Sequence, residues 1–281
     1  MNYLVTGGKG QLGKEVVKLL KEKNMKFTAY DASELDITNK EQVYTILNSD
    51  TPDVVLHCAA YTAVDKAEDE GREKNWAVNV EGTRNVAEAC KTIEAKLVFI
   101  STDYVFDGTY MGEYSETMET NPKNEYGKAK LAGEDIITQL LEKYYIIRTS
   151  WVFGEFGNNF VYTMEKLASE RNTLTIVNDQ IGRPTWTRTL AKFMIHLVEK
   201  NQPYGVYHLS NEGQTSWYGF AKEILKDKNI VLKPVTSEEF PQKAYRPKHS
   251  VMNLEKARNT GFNILEWTEA LTSFKKEDSN E

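Results

Sequence analysis

The sequence predicts an α/β fold in which a doubly wound parallel sheet is joined to a smaller mixed lobe. Short apolar strands alternate with helical patterns through the first half of the chain, a glycine-rich turn follows the first strand, and polar residues follow the later strands. The chain has 281 residues, of which 40% are hydrophobic, so it can bury one large core and a smaller one.

The first half of the chain contains five strand patterns and four helix patterns in alternation. The strands are predicted near 2–6, 26–31, 53–58, 96–101 and 144–149, and the helices near 11–23, 39–48, 72–92 and 125–142. Strands that alternate with helices form a parallel sheet with helices on both faces. Such a sheet binds ligands in a crevice at the carboxyl ends of its strands.

Three glycines, Gly7, Gly10 and Gly13, lie between the first strand and the first helix. Glycines at a strand-to-helix turn let backbone N–H groups approach a pyrophosphate at the helix N-terminus. Their spacing is Gly-x-x-Gly-x-x-Gly rather than Gly-x-Gly-x-x-Gly, and the alternative is that they only turn the chain. Asp31 ends the next strand, about 20 residues later, where an acid can bind the ribose of a dinucleotide.

Tyr126 and Lys130 stand four residues apart in a helical pattern, so their side chains share one helix face. A nearby ammonium favours the ionised form of a phenol, and this predicts that Lys130 lowers the pKa of Tyr126. The pair is therefore a candidate for proton transfer. The alternative interpretation is an amphipathic helix with a surface Tyr and Lys.

Several sequence blocks resemble the extended branch of the short-chain dehydrogenase/reductase superfamily and, within it, the dTDP-4-dehydrorhamnose reductases. Together with the glycine turn and Tyr-x-x-x-Lys, these blocks span residues 2 to about 250. Their order along the chain identifies the family more specifically than any single block does. The blocks are Ala59-Ala60-Tyr61-Thr62-Ala63-Val64-Asp65-Lys66-Ala67-Glu68, Ser101-Thr102-Asp103-Tyr104-Val105-Phe106-Asp107-Gly108, Arg148-Thr149-Ser150-Trp151-Val152-Phe153-Gly154, Asn158-Asn159-Phe160 and Asp179-Gln180-Ile181-Gly182-Arg183-Pro184-Thr185.

The resemblance implies that NADPH or NADH reduces the 4-keto group of dTDP-6-deoxy-L-lyxo-4-hexulose to give dTDP-L-rhamnose for cell-surface polysaccharide. It implies catalytic roles for Thr102, Tyr126 and Lys130. The implied substrate contacts are Thr102, Asp103, Tyr126, Trp151 and Arg183, with a core position as the alternative for Trp151. The implied cofactor contacts are Gly7, Gly10, Gln11, Leu12, Asp31, Asp36, Ile37, Ala60, Tyr61, Thr62, Tyr126 and Lys130.

The choice between NADPH and NADH stays open in the sequence. A carboxylate at Asp31 or Asp36 would repel a 2′-phosphate, whereas Lys9 could attract one.

The regular alternation weakens after Trp151, where glycine and proline separate short segments. A helix near 187–199 and a strand near 204–209 are exceptions that we expect to rejoin the first sheet. These features predict a dinucleotide-binding Rossmann domain at 1–150, rejoined by about 186–210. The remainder of 151–281 is predicted to form the smaller substrate-binding domain.

Two other functions fit part of the pattern. A nucleotide-sugar epimerase or dehydratase shares the glycine turn and Tyr-x-x-x-Lys, but family dehydratases follow the Thr-Asp pair with Glu, and Tyr104 stands there. A non-catalytic homologue, such as the regulatory subunit of methionine adenosyltransferase, is disfavoured by the intact Thr102, Tyr126 and Lys130.

Composition disfavours several other classes of protein. The formal charge of -6 disfavours nucleic-acid binding, and the chain has no apolar run long enough to span a bilayer. Cys58 and Cys90 predict buried thiols in a reducing compartment, and the four histidines have no metal-ligand spacing. We therefore expect a cytoplasmic enzyme without a metal centre, and the resemblance leaves a homodimer open.

Overall fold

The computed structural model describes residues 1–278 and has a six-stranded parallel sheet at its centre. Its strands are β1 (Asn2–Thr6), β2 (Lys26–Tyr30), β3 (Val54–His57), β4 (Lys96–Thr102), β5 (Tyr144–Thr149) and β10 (Gly205–His208). Their order across the sheet is β10-β5-β4-β3-β1-β2. All six lie close to the positions predicted from the sequence, and the doubly wound fold is confirmed. The chain adds β2 on one side of β1 and β3 on the other side. The crevice therefore opens between the carboxyl ends of β1 and β3.

Helices cover both faces of this sheet. They are α1 (Gln11–Glu22), α2 (Lys40–Asp50), α3 (Arg72–Trp76), α4 (Thr83–Thr92), α5 (Glu125–Leu140) and α7 (Thr187–Glu199). One apolar cluster joins α1 and α7 to the sheet through Leu20 and Leu197. A second cluster packs α2, α4 and α5 on the opposite face through Leu47, Val86 and Ile137. This burial fixes the strand ends that form the crevice.

The helix predicted at 72–92 is interrupted by a π-helical turn at Ala77–Gly82, between α3 and α4. Asn79 lies in this turn, donates a hydrogen bond to the Tyr61 carbonyl at 2.9 Å and accepts one from the Tyr61 N–H at 3.2 Å. The turn therefore holds the segment after β3, which the sequence assigned to cofactor binding. Apolar spacing carried no signal for the interruption, and the contacts of Asn79 with Tyr61 within it are polar.

The later part of the chain forms small sheets around an apolar cluster of its own. Its elements are β6 (Val152–Phe153), α6 (Phe160–Glu170), β7 (Thr173–Val177), β8 (Ile181–Gly182), β9 (Thr185–Trp186), β11 (Thr215–Ser216), α8 (Trp217–Ile224), β12 (Val231–Val235), α9 (Glu255–Asn259) and α10 (Trp267–Asp278). The pairs are β6 with β9, β7 with β12 and β8 with β11. Phe153, Phe220 and Phe274 lie in this cluster, whereas Ala257 of α9 packs into the cluster that joins α1 and α7 to the large sheet.

We propose the domain division predicted from the sequence. In its support, α7 and β10 pack into the core of the large sheet, while most other elements after Trp151 share the separate cluster. Residues 279–281, assigned to the smaller domain, lie outside the described residues. Within residues 1–278, no helix combines the length and the apolar character needed to cross a membrane.

Candidate active site

Two adjoining cavities lie at the carboxyl ends of the sheet strands. The inner pocket, about 470 Å³, is lined by residues that follow β4 and β5 and by the start of α5. The outer pocket, about 610 Å³, lies beside the ends of β1 and β2. Both are lined by Gly10, the segment 58–60 and Thr62, so they form one continuous cleft.

The glycine turn lies where the two pockets meet. Gly7 has a φ of +67°, and a Cβ there would approach the Ala59 nitrogen to 2.7 Å. A Cβ on Gly13 would come within 2.1 Å of the Gly7 carbonyl oxygen. Helix α1 begins at Gln11, and its cap residue Gly10 makes no side-chain capping bond. The first N–H groups of α1 thus face the cleft without a side chain between, which fits the pyrophosphate of a dinucleotide.

The outer pocket contains the two predicted carboxylates. Asp31 forms an ion pair with Lys9 and accepts hydrogen bonds from the Ser33 N–H at 2.8 Å and hydroxyl at 2.6 Å. These partners, Lys9 first, hold the pKa of Asp31 well below its usual range. Asp36 lines the same pocket but accepts from Thr38 of its own loop. The pocket therefore has both a carboxylate and an ammonium near the predicted ribose position.

Helix α5 brings Tyr126 and Lys130 into the inner pocket. The Asn124 side chain caps the helix by accepting from the Gly127 N–H at 2.7 Å. A Cβ on Gly127 would lie 2.3 Å from the Tyr104 carbonyl oxygen, so only glycine lets α5 pack this closely on the turn after β4. This contact places Tyr126 beside Thr102 and Asp103.

The pKa of Tyr126 is raised, whereas the sequence predicted that Lys130 would lower it. Burial is the largest cause, the charge of Asp103 adds to it, and a hydrogen bond from Thr102 opposes it. The Lys130 ammonium lies 3.9 Å from the centroid of the Phe99 ring, and burial lowers its pKa to about 7. The prediction was wrong for this state of the site, because burial of the phenol dominates its pKa and the charge of Lys130 is not among the causes of the shift.

Thr102 and Asp103 come directly from the end of β4. Thr102 donates to the Asp103 carboxylate at 3.1 Å and accepts from the Tyr104 N–H at 3.1 Å. Asp103 is only 2% exposed, and burial raises its pKa to about 6, against hydrogen bonds from Ser250 and Thr102. A carboxyl group whose pKa is raised by burial thus lies beside the tyrosine.

Trp151 lines the inner pocket from the opposite side and packs against the apolar cluster of the smaller lobe. Its φ of +47° is unusual for a bulky residue and costs about 1–3 kcal/mol. The pairing of β6 with β9 and a bond from the Thr185 N–H to the Trp151 carbonyl hold this conformation. Trp151 is therefore both a pocket residue and a packing residue.

Arg183 is the one predicted site residue that does not line the cleft. Its guanidinium pairs with Glu113 at 2.5 Å and lies 3.7 Å from Glu212. The backbone of the same segment does reach the site, because Gly182 contacts Trp151. A substrate contact by the Arg183 side chain stays a prediction from the resemblance. Cys90 is buried as predicted, but Cys58 is partly exposed at the cleft wall.

A third cavity, about 540 Å³, lies in the smaller lobe and was not predicted from the sequence. We call it the lobe cavity. Tyr104 and Trp217 line both this cavity and the inner pocket, so they form the wall between the two. Arg171 and Arg246 line it with guanidinium groups, and that of Arg246 is ion-paired with Asp65 at 2.9 Å. Leu174, Ile176, Met164, Leu167 and Phe240 give it an apolar lining.

The lobe cavity has no local sequence signal, because its lining comes from stretches far apart in the chain, namely Tyr104, 160–180, Trp217 and 240–246. Within residues 1–278, no group of three or more His, Cys, Asp or Glu side chains could hold a metal ion.

Known proteins resemble this chain over nearly its whole length. The family described as RmlD substrate binding domain matches residues 1–279. The dTDP-4-dehydrorhamnose reductase of Aggregatibacter actinomycetemcomitans is 41% identical, with 97% of each chain covered. The spore coat polysaccharide biosynthesis protein SpsK of Bacillus subtilis is 39% identical over 99% of this chain and 98% of that relative. The crystal structure of dTDP-4-dehydrorhamnose reductase from Bacillus anthracis in complex with NADP has a TM-score of 0.95 at 42% identity, covering 98% of this chain and 99% of that one.

Proposed function

This chain belongs to the dTDP-4-dehydrorhamnose reductase family, which is the family of the RmlD substrate binding domain. From this membership we propose that the protein reduces the 4-keto group of dTDP-6-deoxy-L-lyxo-4-hexulose to give dTDP-L-rhamnose. The reductant is NADPH or NADH. The observation that carries the proposal is the meeting of Thr102, Tyr126 and Lys130 in one pocket, which continues past the glycine turn. The SpsK relative is named for polysaccharide biosynthesis, and we propose a cell-surface polysaccharide as the destination of the product.

When bound, the reduced nicotinamide supplies a hydride to the keto carbon. Tyr126 donates its phenolic proton to the alkoxide that develops at the carbonyl oxygen. Because its pKa is raised, Tyr126 is protonated at neutral pH and can act as the acid in the reduction. Thr102 turns its hydroxyl from Asp103 to the same oxygen and adds a second donor.

Lys130 binds the ribose hydroxyls beside the nicotinamide. Its pKa of about 7 leaves the amine partly protonated at neutral pH, and hydroxyl partners favour the ammonium form. As an ammonium it stabilises the phenolate that Tyr126 becomes after it donates. Lys130 is 1% exposed, so little water screens this interaction.

Asp103 and Trp151 contact the sugar. The glycine turn, Gln11 and Leu12 hold the pyrophosphate, and the outer pocket holds the adenosine half through Asp31, Ile37 and the segment 60–62. The lobe cavity accepts the nucleotide end of the substrate, because the Arg171 guanidinium, with Arg246 beside its partner Asp65, offers donors to a diphosphate and the apolar lining fits a base.

Two finer proposals concern the setting of the enzyme. We propose that it works in the cytoplasm, in keeping with two cysteines that are free thiols. A homodimer stays a prediction from the family, and light scattering on the purified chain would test it.

The direct experiment follows the absorbance of NADPH or NADH with the purified chain and a panel of keto-sugar nucleotides. One cofactor should be oxidised for each dTDP-6-deoxy-L-lyxo-4-hexulose consumed. Turnover of a sugar nucleotide without net loss of added cofactor would instead indicate an epimerase or dehydratase. Binding of cofactor without conversion of any sugar, together with binding to methionine adenosyltransferase, would indicate the regulatory homologue.

A further inference from the structure

The Trp151 ring is held between two residues from distant parts of the sequence. Its ring lies against Trp217 with centroids 3.7 Å apart and planes 12° apart. On Gly182, a Cβ would lie 2.7, 2.8 and 3.0 Å from Cε2, Cζ2 and Nε1 of Trp151. These similar distances to adjacent ring atoms place Gly182 over the ring plane. No Trp217 atom is among those nearest neighbours, so Gly182 lies on the opposite face.

Sheet pairing explains how the two residues come to face each other. Strand β8 pairs with β11 in antiparallel register, with Gly182 opposite Thr215 and Ile181 opposite Ser216. Ser216 then caps α8 by accepting from the Gly219 N–H at 3.0 Å, and Trp217 is the first residue of that helix. The short β8–β11 pair therefore fixes the gap into which the Trp151 ring fits.

Further contacts fix Trp217 itself. Its indole N–H donates to the Gln180 side-chain oxygen at 3.1 Å, and Gln180 is 5% exposed. The Gln180 amide nitrogen in turn donates to the Ser237 hydroxyl at 3.0 Å. The Phe160 ring lies against Trp217 with centroids 4.6 Å apart. A ring with a bonded N–H and packed neighbours is a firm support for a second ring.

We propose that Trp217 is a positioning residue which, together with Gly182, clamps Trp151 so that the rim of its indole, not a face, meets the keto-sugar. Both faces of the Trp151 ring are covered, while the residue lines the inner pocket beside Tyr126. The inference rests on the proposed function, because it names how the sugar is held in that site.

A double-mutant cycle tests whether Trp217 acts through Trp151. Trp217→Ala should raise the KM for the sugar nucleotide about three- to tenfold, as expected for the loss of an aromatic pair. It should leave cofactor affinity unchanged. In a Trp151→Ala background the same substitution should raise KM no further. Equal effects in both backgrounds would overturn the proposal, since Trp217 would then act on the substrate directly or only on the fold.

A matched control is Trp267→Ala. Trp267 belongs to the same apolar cluster and, like Trp217, contacts the Phe220 ring. It should lower the melting temperature without changing KM. Trp217→Phe keeps a ring against Trp151 and should restore most of the affinity. A KM rise in Trp267→Ala equal to that in Trp217→Ala would contradict the clamp.

Gly182→Ala tests the other face of the clamp and does not depend on the folding of Trp217→Ala. The three atoms nearest to the added methyl all belong to the Trp151 ring, so the methyl should displace the ring. The KM for the sugar nucleotide should therefore rise, while cofactor affinity stays unchanged. An unchanged KM would contradict the clamp.

The exciton signal of two stacked indoles in circular dichroism should disappear in Trp217→Ala and persist in Trp267→Ala. This spectral test holds even if the wild type reduces no sugar, in which case the proposed function alone has failed.

Discussion

The cofactor side and the substrate side of the cleft are built in different ways. On the cofactor side, Gly10, Asp31 and Ala60 each follow a strand of one parallel sheet, whose register brings the strand ends together. On the substrate side, Trp151, Gly182 and Trp217 come from short segments joined by two-stranded pairs. The first arrangement is fixed by a large core, whereas the second depends on a few specific contacts. Substitutions should accordingly affect chemistry on one side and substrate affinity on the other.

The largest effect is expected for Tyr126→Phe, which removes the acid and keeps the ring. Turnover should fall by about 10²–10⁴, the usual contribution of a positioned general acid. Cofactor affinity should hardly change. Tyr3→Phe is the control, since Tyr3 is a fully buried tyrosine in β1 of the central sheet. Near-normal turnover in Tyr126→Phe would remove this residue from the mechanism.

Lys130→Met should weaken cofactor binding by about 10- to 100-fold, because charged hydrogen bonds to the ribose are lost. The pH-rate profile should shift toward higher pH, since the phenolate loses its neighbouring cation. Titration of cofactor fluorescence and initial rates across pH would measure both. Unchanged values for both would show that Lys130 has no part in binding or proton transfer.

The same variant should be more stable than the wild type at neutral pH. In the folded chain the Lys130 pKa is lowered to about 7 from its ordinary 10.5. Between these values the unfolded chain binds more protons, so wild-type stability rises with pH across this window. The advantage of Lys130→Met, on the order of a few kcal/mol at pH 7, should therefore shrink toward pH 10. Urea unfolding at both pH values would check this, and an advantage that grows with pH would contradict it.

Trp151→Ala should raise the KM for the sugar nucleotide about tenfold and leave cofactor affinity unchanged, because the lost contact lies on the substrate side. Steady-state kinetics with each substrate varied would show the difference. If cofactor affinity falls equally, Trp151 supports the whole cleft and the comparison between its two sides fails.

The smallest effects are expected at the exposed Lys9 and its partner Asp31. Lys9→Ala should shift the preference toward NADH, and Asp31→Asn toward NADPH, each by about two- to fivefold. Ratios of kcat/KM for the two cofactors would measure the shifts. Shifts in the same direction for both variants would show that neither charge reads the 2′ position.

The cofactor side was predictable because its signals are local. A glycine turn after an apolar strand and Tyr126 four residues before Lys130 are patterns that regular elements place without further information. Most of these residues line the predicted cleft. The pKa of Tyr126 was not predictable, since it depends on burial by groups that the helix spacing does not reveal.

The substrate side was predictable only in part. Trp151 was a candidate through a family block, but Trp217 and the lobe cavity carried no signal, because their partners lie dozens of residues away. The family block that contains Arg183 was also predictable only in part. The block does reach the site, but the residue that contacts Trp151 is Gly182, whereas the Arg183 side chain pairs with Glu113.

The central claim is a net reduction at the 4-keto carbon, with Tyr126 as the acid and the nicotinamide as the hydride donor. The most direct test labels the transferred hydrogen. Reduced cofactor carrying deuterium at the transferring position of the nicotinamide would be supplied with dTDP-6-deoxy-L-lyxo-4-hexulose, and the product examined by NMR. We expect one deuterium at C4 of dTDP-L-rhamnose for each cofactor oxidised, with the rate strongly reduced in Tyr126→Phe. A product without deuterium at C4, or deuterium returned to the cofactor, would contradict the account.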